Sequence, residues 1–456
     1  MARGTATQLP DPLPLPTLRP GAAFDLSIRP PGSKSLTNRA LLLAALAEGE
    51  STIREGLTDA DDAERMIAAI QQLGAGVRLR GGELRVQGVG GTWRPESEPT
   101  LNLNNAGTAT RFLTAAALLS AGPIVIDGNA RMRERPIGEL GDALRVLGAT
   151  VEHLGERDGC PPIRVTPPAQ RPRAAELTIG RTKSSQFLTG LLQLGPWLES
   201  GLTLRSPQGI TSESYVRMSL RLLEAVGAQT QCADDLRFVR VRSERPGGGL
   251  AAFDLTIEPD ASGATYWWSA AAMVPDARIT VPGLNADSLQ ADARFPELLS
   301  LMGAHVEGSM SGTVVRGTRR LVGIRCDMAD MPDAAMSLAV VAAFADSPTT
   351  ISGLSTLRDK ECDRIDATRA ELAKIGVLVE TRVDGDDGTI RIVPPDGGID
   401  CAESVAPVEF DTYDDHRMAM STALIALRRP NVLIRDPGCV AKTYPGYWAD
   451  FRLLRG

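Results

Sequence analysis

Six stretches of the chain set small hydroxyl, glycine or acidic residues directly in front of an apolar run. Pro31-Gly32-Ser33-Lys34-Ser35-Leu36-Thr37-Asn38-Arg39 leads into residues 40–46, Asn105-Ala106-Gly107-Thr108-Ala109-Thr110-Arg111 into 112–118, and Ser184-Ser185-Gln186 into 187–192. Asp260-Ala261-Ser262, Pro332-Asp333 and Asp414-Asp415-His416-Arg417 repeat the pattern. A helix start exposes unpaired N–H groups and a partial positive charge, and small residues let an anion approach them closely. A single cluster of this kind is a plain N-cap. Six of them in one repeat phase form a set able to converge on one anionic guest. Cations stand beside these starts: Lys34, Arg39, Arg135 (in Glu134-Arg135-Pro136-Ile137-Gly138), Lys360, Arg364, Arg417 and Lys442. They occur in motifs rather than in solvated charge runs, and suit substrates carrying several phosphate and carboxylate groups.

The elements that must position these residues recur with a period of about 75 residues. Leu73-Gly74-Ala75, Leu147-Gly148-Ala149, Val226-Gly227-Ala228, Met302-Gly303-Ala304 and Ile375-Gly376-Val377 each close an amphipathic run and precede a β-rich stretch such as Val77-Arg78-Leu79. Each glycine fits a left-handed C-cap. A sixth copy ends in the helix-like segment 447–454 and lacks strands after it. The stretch Phe24-Asp25-Leu26-Ser27-Ile28 is expected to supply one of them. The repeat therefore predicts six α/β units in two lobes of three, with the N-terminus contributing to the second lobe.

The 456-residue chain is long enough for two or three domains, and its composition (43% hydrophobic, 23% charged, 4% aromatic) is that of a soluble globular protein. A net charge of −7 argues against nucleic acid or an anionic membrane as partner, and against a DNA clamp, yet permits a basic pocket. Cys160, Cys232, Cys326, Cys362, Cys401 and Cys439 form no Cys-x-x-Cys pair, and the three histidines are dispersed, so no metal site is expected. Residues 1–20 are rich in Pro and Leu and are expected to be a flexible extension rather than a signal or transit peptide. No apolar stretch has the length of a membrane span. Asp384-Gly385-Asp386-Asp387-Gly388 resembles the opening of a calcium loop, but Pro395 stands at the twelfth position, and a hairpin turn is expected instead. His416 is read as a structural residue.

The first three polar clusters, with Arg135-Pro136-Ile137-Gly138, resemble the first-lobe motifs of the 5-enolpyruvylshikimate-3-phosphate synthase family. Pro332-Asp333-Ala334-Ala335-Met336, Lys360-Glu361 with Asp363-Arg364, Asp415-His416-Arg417-Met418-Ala419-Met420 and Ala441-Lys442-Thr443 resemble those of its other lobe. The likeness is collinear from about residue 28 to 447. It implies an α/β, two-lobed enolpyruvyl-transferase fold of six βαβαββ units, three per lobe, with the active site in the interdomain cleft. Residues 1–32 plus 258–456 would form the lobe holding both termini, and 33–257 the inserted lobe. The implied reaction joins phosphoenolpyruvate to shikimate 3-phosphate and releases phosphate.

The same resemblance implies that Lys34, Ser35, Arg39, Ser184, Ser185, Gln186, Ser212, Asp333 and Lys360 hold shikimate 3-phosphate. Lys34, Gly107, Arg135, Gln186, Arg364, Arg417 and Lys442 would surround phosphoenolpyruvate. Asp333, Glu361 and Lys34 are the implied catalytic groups, with Glu361 the donor to the methylene and Asp333 the acceptor from the 5-hydroxyl. The expected partners are these two small molecules. Neither nucleic acid, membrane, cofactor nor metal is expected, and the expected state is a cytoplasmic monomer that closes around its ligands at crossings near residues 32–33 and 258–259.

Three positions depart from the family pattern. Phe112 stands where many members have Pro and is expected to affect the phosphoenolpyruvate pocket and the response to glyphosate, the family's inhibitor. Thr356 and Asp414 each replace a common Asn. Gly107 matches the glyphosate-sensitive type. Two alternative readings make different demands on the residues. The sister transferase acting on UDP-N-acetylglucosamine opens with a Gly-Ala-Lys-Asn type motif and uses a first-lobe Cys, whereas this chain has no Cys before Cys160. A non-catalytic, clamp-like anion binder would be expected to lose Lys34, Asp333 or Glu361.

Overall fold

The computed structural model describes residues 9–19, 21–173 and 175–455. The chain divides into two compact units, one of Met1–Pro30, Ala261–Ser288 and Asp292–Gly456, the other of Pro31–Asp260 and Leu289–Ala291.

Twelve α-helices are present among the described residues. Those of the continuous unit are α1 (Lys34–Leu46), α2 (Asp61–Gln72), α3 (Gly107–Ala116), α4 (Gly138–Val146), α5 (Ser185–Leu192) and α6 (Glu213–Ala225). Those of the unit holding the termini are α7 (Ala261–Met273), α8 (Phe295–Leu301), α9 (Ala335–Ala343), α10 (Arg364–Ala373), α11 (His416–Ala423) and α12 (Tyr447–Leu453). Odd-numbered α1, α3, α5, α7, α9 and α11 are buried on nearly every side. Each is the first helix of a repeat and is made mostly of small and apolar residues, the composition of a helix with no solvent face. Helices such as α2 and α6 keep one charged face outward.

Among the described residues, five four-stranded sheets share one strand arrangement: two parallel strands, the second of which pairs antiparallel with an adjoining hairpin. In one, Thr100–Asn102 pairs parallel with Ile124–Asp127, which pairs antiparallel with Ile163–Thr166, beside Thr150–His153. The five repeat glycines all have positive φ, between +82° and +106°. At Gly74, the Ala75 amide returns to the Ile70 carbonyl, closing the helix end as expected of a left-handed cap.

The repeat is cyclic within each unit. In the continuous unit, Asp254–Thr256 at the far end of the segment pairs parallel with Glu50–Arg54 and completes the sheet of the first repeat. Where the chain enters and leaves this unit, Gly32 and Pro259 form an antiparallel bridge, Ser33 N–H donates to the Glu258 carbonyl at 2.9 Å, and Asp260 N–H donates to Pro31 at 2.8 Å. A Cβ on Gly32 would stand 1.9 Å from the Glu55 carbonyl oxygen, which is backbone and cannot swing away. Gly32→Ala is therefore expected to cost at least about 1–3 kcal/mol. A urea midpoint equal to the parent's would refute this reading.

Two expectations are corrected at the N-terminus. Asp25–Ser27 does not complete the sixth repeat; it pairs parallel with Arg278–Pro282 and begins the fourth. The third strand of the sixth sheet is Leu13–Pro14, antiparallel to Val432–Ile434, within the segment expected to be flexible. The Leu-Pro alternation places Leu13 and Leu15 in the core and Pro14 outward. Leu15 N–H donates to the Val432 carbonyl, and Pro14 tolerates its missing donor because this strand lies at the sheet edge. Trp448 and Phe451 of α12 pack beside this strap. Among the described residues the sixth sheet therefore has three strands, not four. Residues 1–8 and 20 lie outside the described residues.

Candidate active site

The unit holding the termini gathers the side chains expected from its motifs into one network. Asp333 precedes α9, Glu361 and Arg364 flank the start of α10, Arg417 opens α11, and Lys442 ends the turn Pro437–Lys442. Arg364, 1% exposed, is the hub. Its Nε donates to Asp415 Oδ2 at 2.7 Å, Nη1 to Asp333 Oδ1 at 3.0 Å, and Nη2 to Glu361 Oε2 at 2.8 Å and Asp415 Oδ1 at 3.2 Å. Asp333 also accepts from Arg417 Nη2 at 3.0 Å and faces Lys360 Nζ at 3.4 Å, while Glu361 Oε1 lies 3.1 Å from Lys442 Nζ. Burial alone would weaken the Arg364 charge, but Asp415, Glu361 and Asp333 outweigh both burial and the opposing Arg417, so its pKa is raised. Four cations thus face three carboxylates in a chain of net negative charge.

Two parts of this network escaped sequence reasoning. Asp415, fully buried, caps α11 through the Arg417 N–H at 2.9 Å while gripping Arg364. Its N-cap position was visible; its partner 51 residues earlier was not. Behind it, Glu371 of α10, 1% exposed, accepts from Tyr413 Oη at 2.7 Å, the Asp411 N–H at 2.9 Å and Lys374 Nζ at 2.6 Å. These bonds hold the turn before α11, where Tyr413 and Asp414 both have left-handed backbone, φ +56° and +54°. Asp and Asn are the types that tolerate this conformation, which explains why Asp414 can stand where Asn is common. Burial and the Glu371 carboxylate push the Tyr413 phenol pKa up. His416 is fully buried with Nδ1 3.6 Å from Asp415 Oδ1, as fits a structural residue.

The continuous unit positions its own set. Ser33 caps α1 by accepting from the Leu36 N–H, and Lys34 Nζ lies 3.3 Å from Asp62 Oδ2 at the start of α2. Asp62 is 1% exposed and was not anticipated; an acidic residue in a first helical turn reads as an ordinary dipole partner. Gly107 is the first residue of α3. A Cβ there would come within 2.7 Å of Arg135 Nη2, so the absent side chain is what admits the guanidinium. Arg135 Nη1 donates to Asn105 Oδ1 at 3.0 Å, and Arg111 Nη2 donates to the Pro136 carbonyl at 2.8 Å, fixing the adjoining turn. Ser184 caps α5 through the Gln186 N–H, and Gln186 Nε2 reaches Thr108 Oγ1 at 3.5 Å. Ser185 is buried in the first turn of α5; Ser212 has left-handed φ, +51°, and precedes α6 without capping it.

Arg39 is 2% exposed in α1, with Nε donating to Ser219 Oγ and Nη1 to the Ser35 carbonyl, both at 2.8 Å, and Nη2 to the Tyr215 carbonyl at 3.4 Å. Burial lowers its pKa to about 10, which still leaves it cationic at neutral pH. These donors and Lys34 present positive charge at the N-terminal ends of buried helices, an arrangement suited to binding phosphate and carboxylate oxygens.

Comparison with known proteins identifies the family. Residues 18–451 match the family model described as EPSP synthase (3-phosphoshikimate 1-carboxyvinyltransferase). A protein named 3-phosphoshikimate 1-carboxyvinyltransferase from Cupriavidus necator is 40% identical over 449 residues, covering 96% of this chain and 99% of its own. One of the same name from Thiobacillus denitrificans is 42% identical over 430 residues, with 93% and 96% covered. Among solved structures, an EPSP synthase from Acinetobacter baumannii superposes with TM-score 0.76 at 25% identity over 98% of both chains. The enolpyruvyl transferase NikO from Streptomyces tendae shares the fold at TM-score 0.72 and 21% identity over 95% of both. With a family model over most of its length and relatives of about 40% identity along nearly all of it, the chain belongs to the EPSP synthase family.

Proposed function

We propose that this chain transfers the enolpyruvyl group of phosphoenolpyruvate to the 5-hydroxyl of shikimate 3-phosphate, releasing inorganic phosphate through a tetrahedral intermediate. The observation that carries this reading is the network in which Asp333 and Glu361 each contact cations suited to substrate anions.

The methylene of phosphoenolpyruvate must gain a proton before its neighbouring carbon, with oxocarbenium character, accepts the 5-oxygen. In our assignment Glu361 gives that proton and Asp333 takes the proton of the attacking hydroxyl. The intermediate then loses a methyl proton to Glu361 as the C–O bond to phosphate breaks, and the departing phosphate receives the proton held on Asp333. Contacts with cations hold both carboxylates in place. Substrate anions that recruit Lys442, Arg364, Arg417 and Lys360 loosen those contacts and let the two carboxyls exchange protons. Lys34 contributes charge and serves either transfer. Arg and Lys supply the field that stabilises the developing charge.

The proposed shikimate 3-phosphate set is Lys34, Ser35, Arg39, Ser184, Ser185, Gln186, Ser212, Asp333 and Lys360. The phosphoenolpyruvate set is Lys34, Gly107, Arg135, Gln186, Arg364, Arg417 and Lys442. Because one reaction requires residues of both units, ligand-driven closure is part of the proposal; small-angle scattering without compaction on adding both ligands would remove it. Among the described residues no helix is long and apolar enough to cross a membrane. We infer a monomer acting in the cytoplasm.

The direct test is phosphate release on mixing protein, shikimate 3-phosphate and phosphoenolpyruvate; no release at any enzyme concentration overturns the reading. Gly107→Ala pushes a methyl against the Arg135 guanidinium, and the expected result is a roughly 10- to 100-fold rise in the KM for phosphoenolpyruvate, since displacements below about 1 Å have effects of this size. An unchanged KM would dissociate Gly107 from that substrate. Turnover is also expected to be inhibited by glyphosate at roughly millimolar concentration, the range in which a phosphate-mimicking anion of modest affinity saturates its site; full rates there would contradict the Gly107 assignment.

A further inference from the structure

Arg39 is buried, yet among the described residues no carboxylate lies within ion-pair distance of it. Three of its five N–H groups go to neutral acceptors, Ser219 Oγ and the carbonyls of Ser35 and Tyr215. A desolvated guanidinium without a counter-ion is costly, and neutral acceptors repay only part of that cost. Besides an electrostatic interaction with Tyr215, it meets an aromatic face: the guanidinium carbon lies 5.2 Å from the ring centroid of Phe112. Phe112 is fully buried in α3, which packs on α1. A ring face attracts a cation most strongly where water is excluded, as here. The side chain expected to act on the phosphoenolpyruvate pocket thus faces a cation assigned to the other substrate, and a proline at this position would offer no such face.

We propose that Phe112 is a specificity-determining residue for shikimate 3-phosphate, its ring face holding the Arg39 guanidinium in the orientation that leaves one N–H on each terminal nitrogen for the substrate anion. The proposal rests on Arg39 binding that substrate, as in the function proposed above. Phe112 does not touch substrate; it acts through Arg39. It takes the place of the missing carboxylate: an acidic partner would neutralise Arg39 and compete with the substrate, whereas a ring face stabilises the cation and leaves its charge available.

The test measures the dissociation constant of shikimate 3-phosphate alone, by calorimetry, with phosphoenolpyruvate KM as the second readout. Two variants are compared with the parent: Phe112→Leu, and 3,4,5-trifluorophenylalanine at position 112, which keeps the ring's shape and removes most of its electrostatic attraction. Both are expected to weaken shikimate 3-phosphate binding by about 3- to 30-fold, with the phosphoenolpyruvate KM moving less than about twofold. The fluorinated ring keeps the packing, so a fold defect in Phe112→Leu leaves the decision to it. Parent-like binding by the fluorinated variant, or a shift confined to phosphoenolpyruvate, overturns the proposal, as does a parent that fails to bind shikimate 3-phosphate. A parent that binds this ligand but releases no phosphate overturns the reaction assignment alone.

Discussion

Glu361→Gln is expected to lower turnover by about 10²- to 10⁴-fold, the range lost when a positioned proton donor is removed. Gln matches Glu in shape but cannot carry the proton. The contacts add a second, smaller effect. Glu361 uses one oxygen for Arg364 and the other for Lys442, so the amide nitrogen of Gln must face a cation. Lys442 ends a flexible stem, and its release is the easier response. Phosphoenolpyruvate binding should therefore weaken by about tenfold or less, the size of one lost ordinary hydrogen bond, while shikimate 3-phosphate binding stays near the parent value. Chemical-quench kinetics under single turnover separate the two effects. A variant with parent turnover would remove Glu361 from the proton path.

Arg364→Lys, conservative in charge, is expected to be among the most damaging changes in the unit holding the termini. The guanidinium spans Asp415, Asp333 and Glu361 at once, with two bonds to Asp415. An ammonium on a flexible stem cannot reproduce that fork. At least one carboxylate then loses its cation inside a buried site, at a cost of about 3–5 kcal/mol. The urea midpoint should fall in proportion at an unchanged slope, and turnover should fall with it because Asp333 and Glu361 lose their alignment. A midpoint within error of the parent would mean that Arg364 is not the hub its contacts describe.

Much of this architecture was legible in the sequence because its signals are local. A Gly that must adopt positive φ, as Gly74 does, betrays a helix end, and five such ends at even spacing betray a repeat. Polar clusters before apolar runs located the starts of α1, α3, α5, α9 and α11, since an N-cap and its helix are neighbours along the chain. Lys34, Asp333 and Arg417 likewise lay at those starts, while Lys360, Glu361 and Arg364 gathered at the start of α10. The Leu-Pro strap did not read as a strand, because proline composition masks its period of two and its pairing partner lies at Val432–Ile434.

The sequence by itself determined which residue types stand at the helix starts, how often the unit repeats, and which side chains have the chemistry for polyanions and proton transfer. Only the tertiary structure decided their partners: Asp62 for Lys34, Asp415 for Arg364, Glu371 for Tyr413, and Ser219 and Phe112 for Arg39. Caps and periodicity act over three or four residues and leave a mark in composition. A buried charge is satisfied by whatever the fold brings within about 3 Å, the length of a hydrogen bond. For Arg39 that is a hydroxyl 180 residues away, a pairing that no local pattern records.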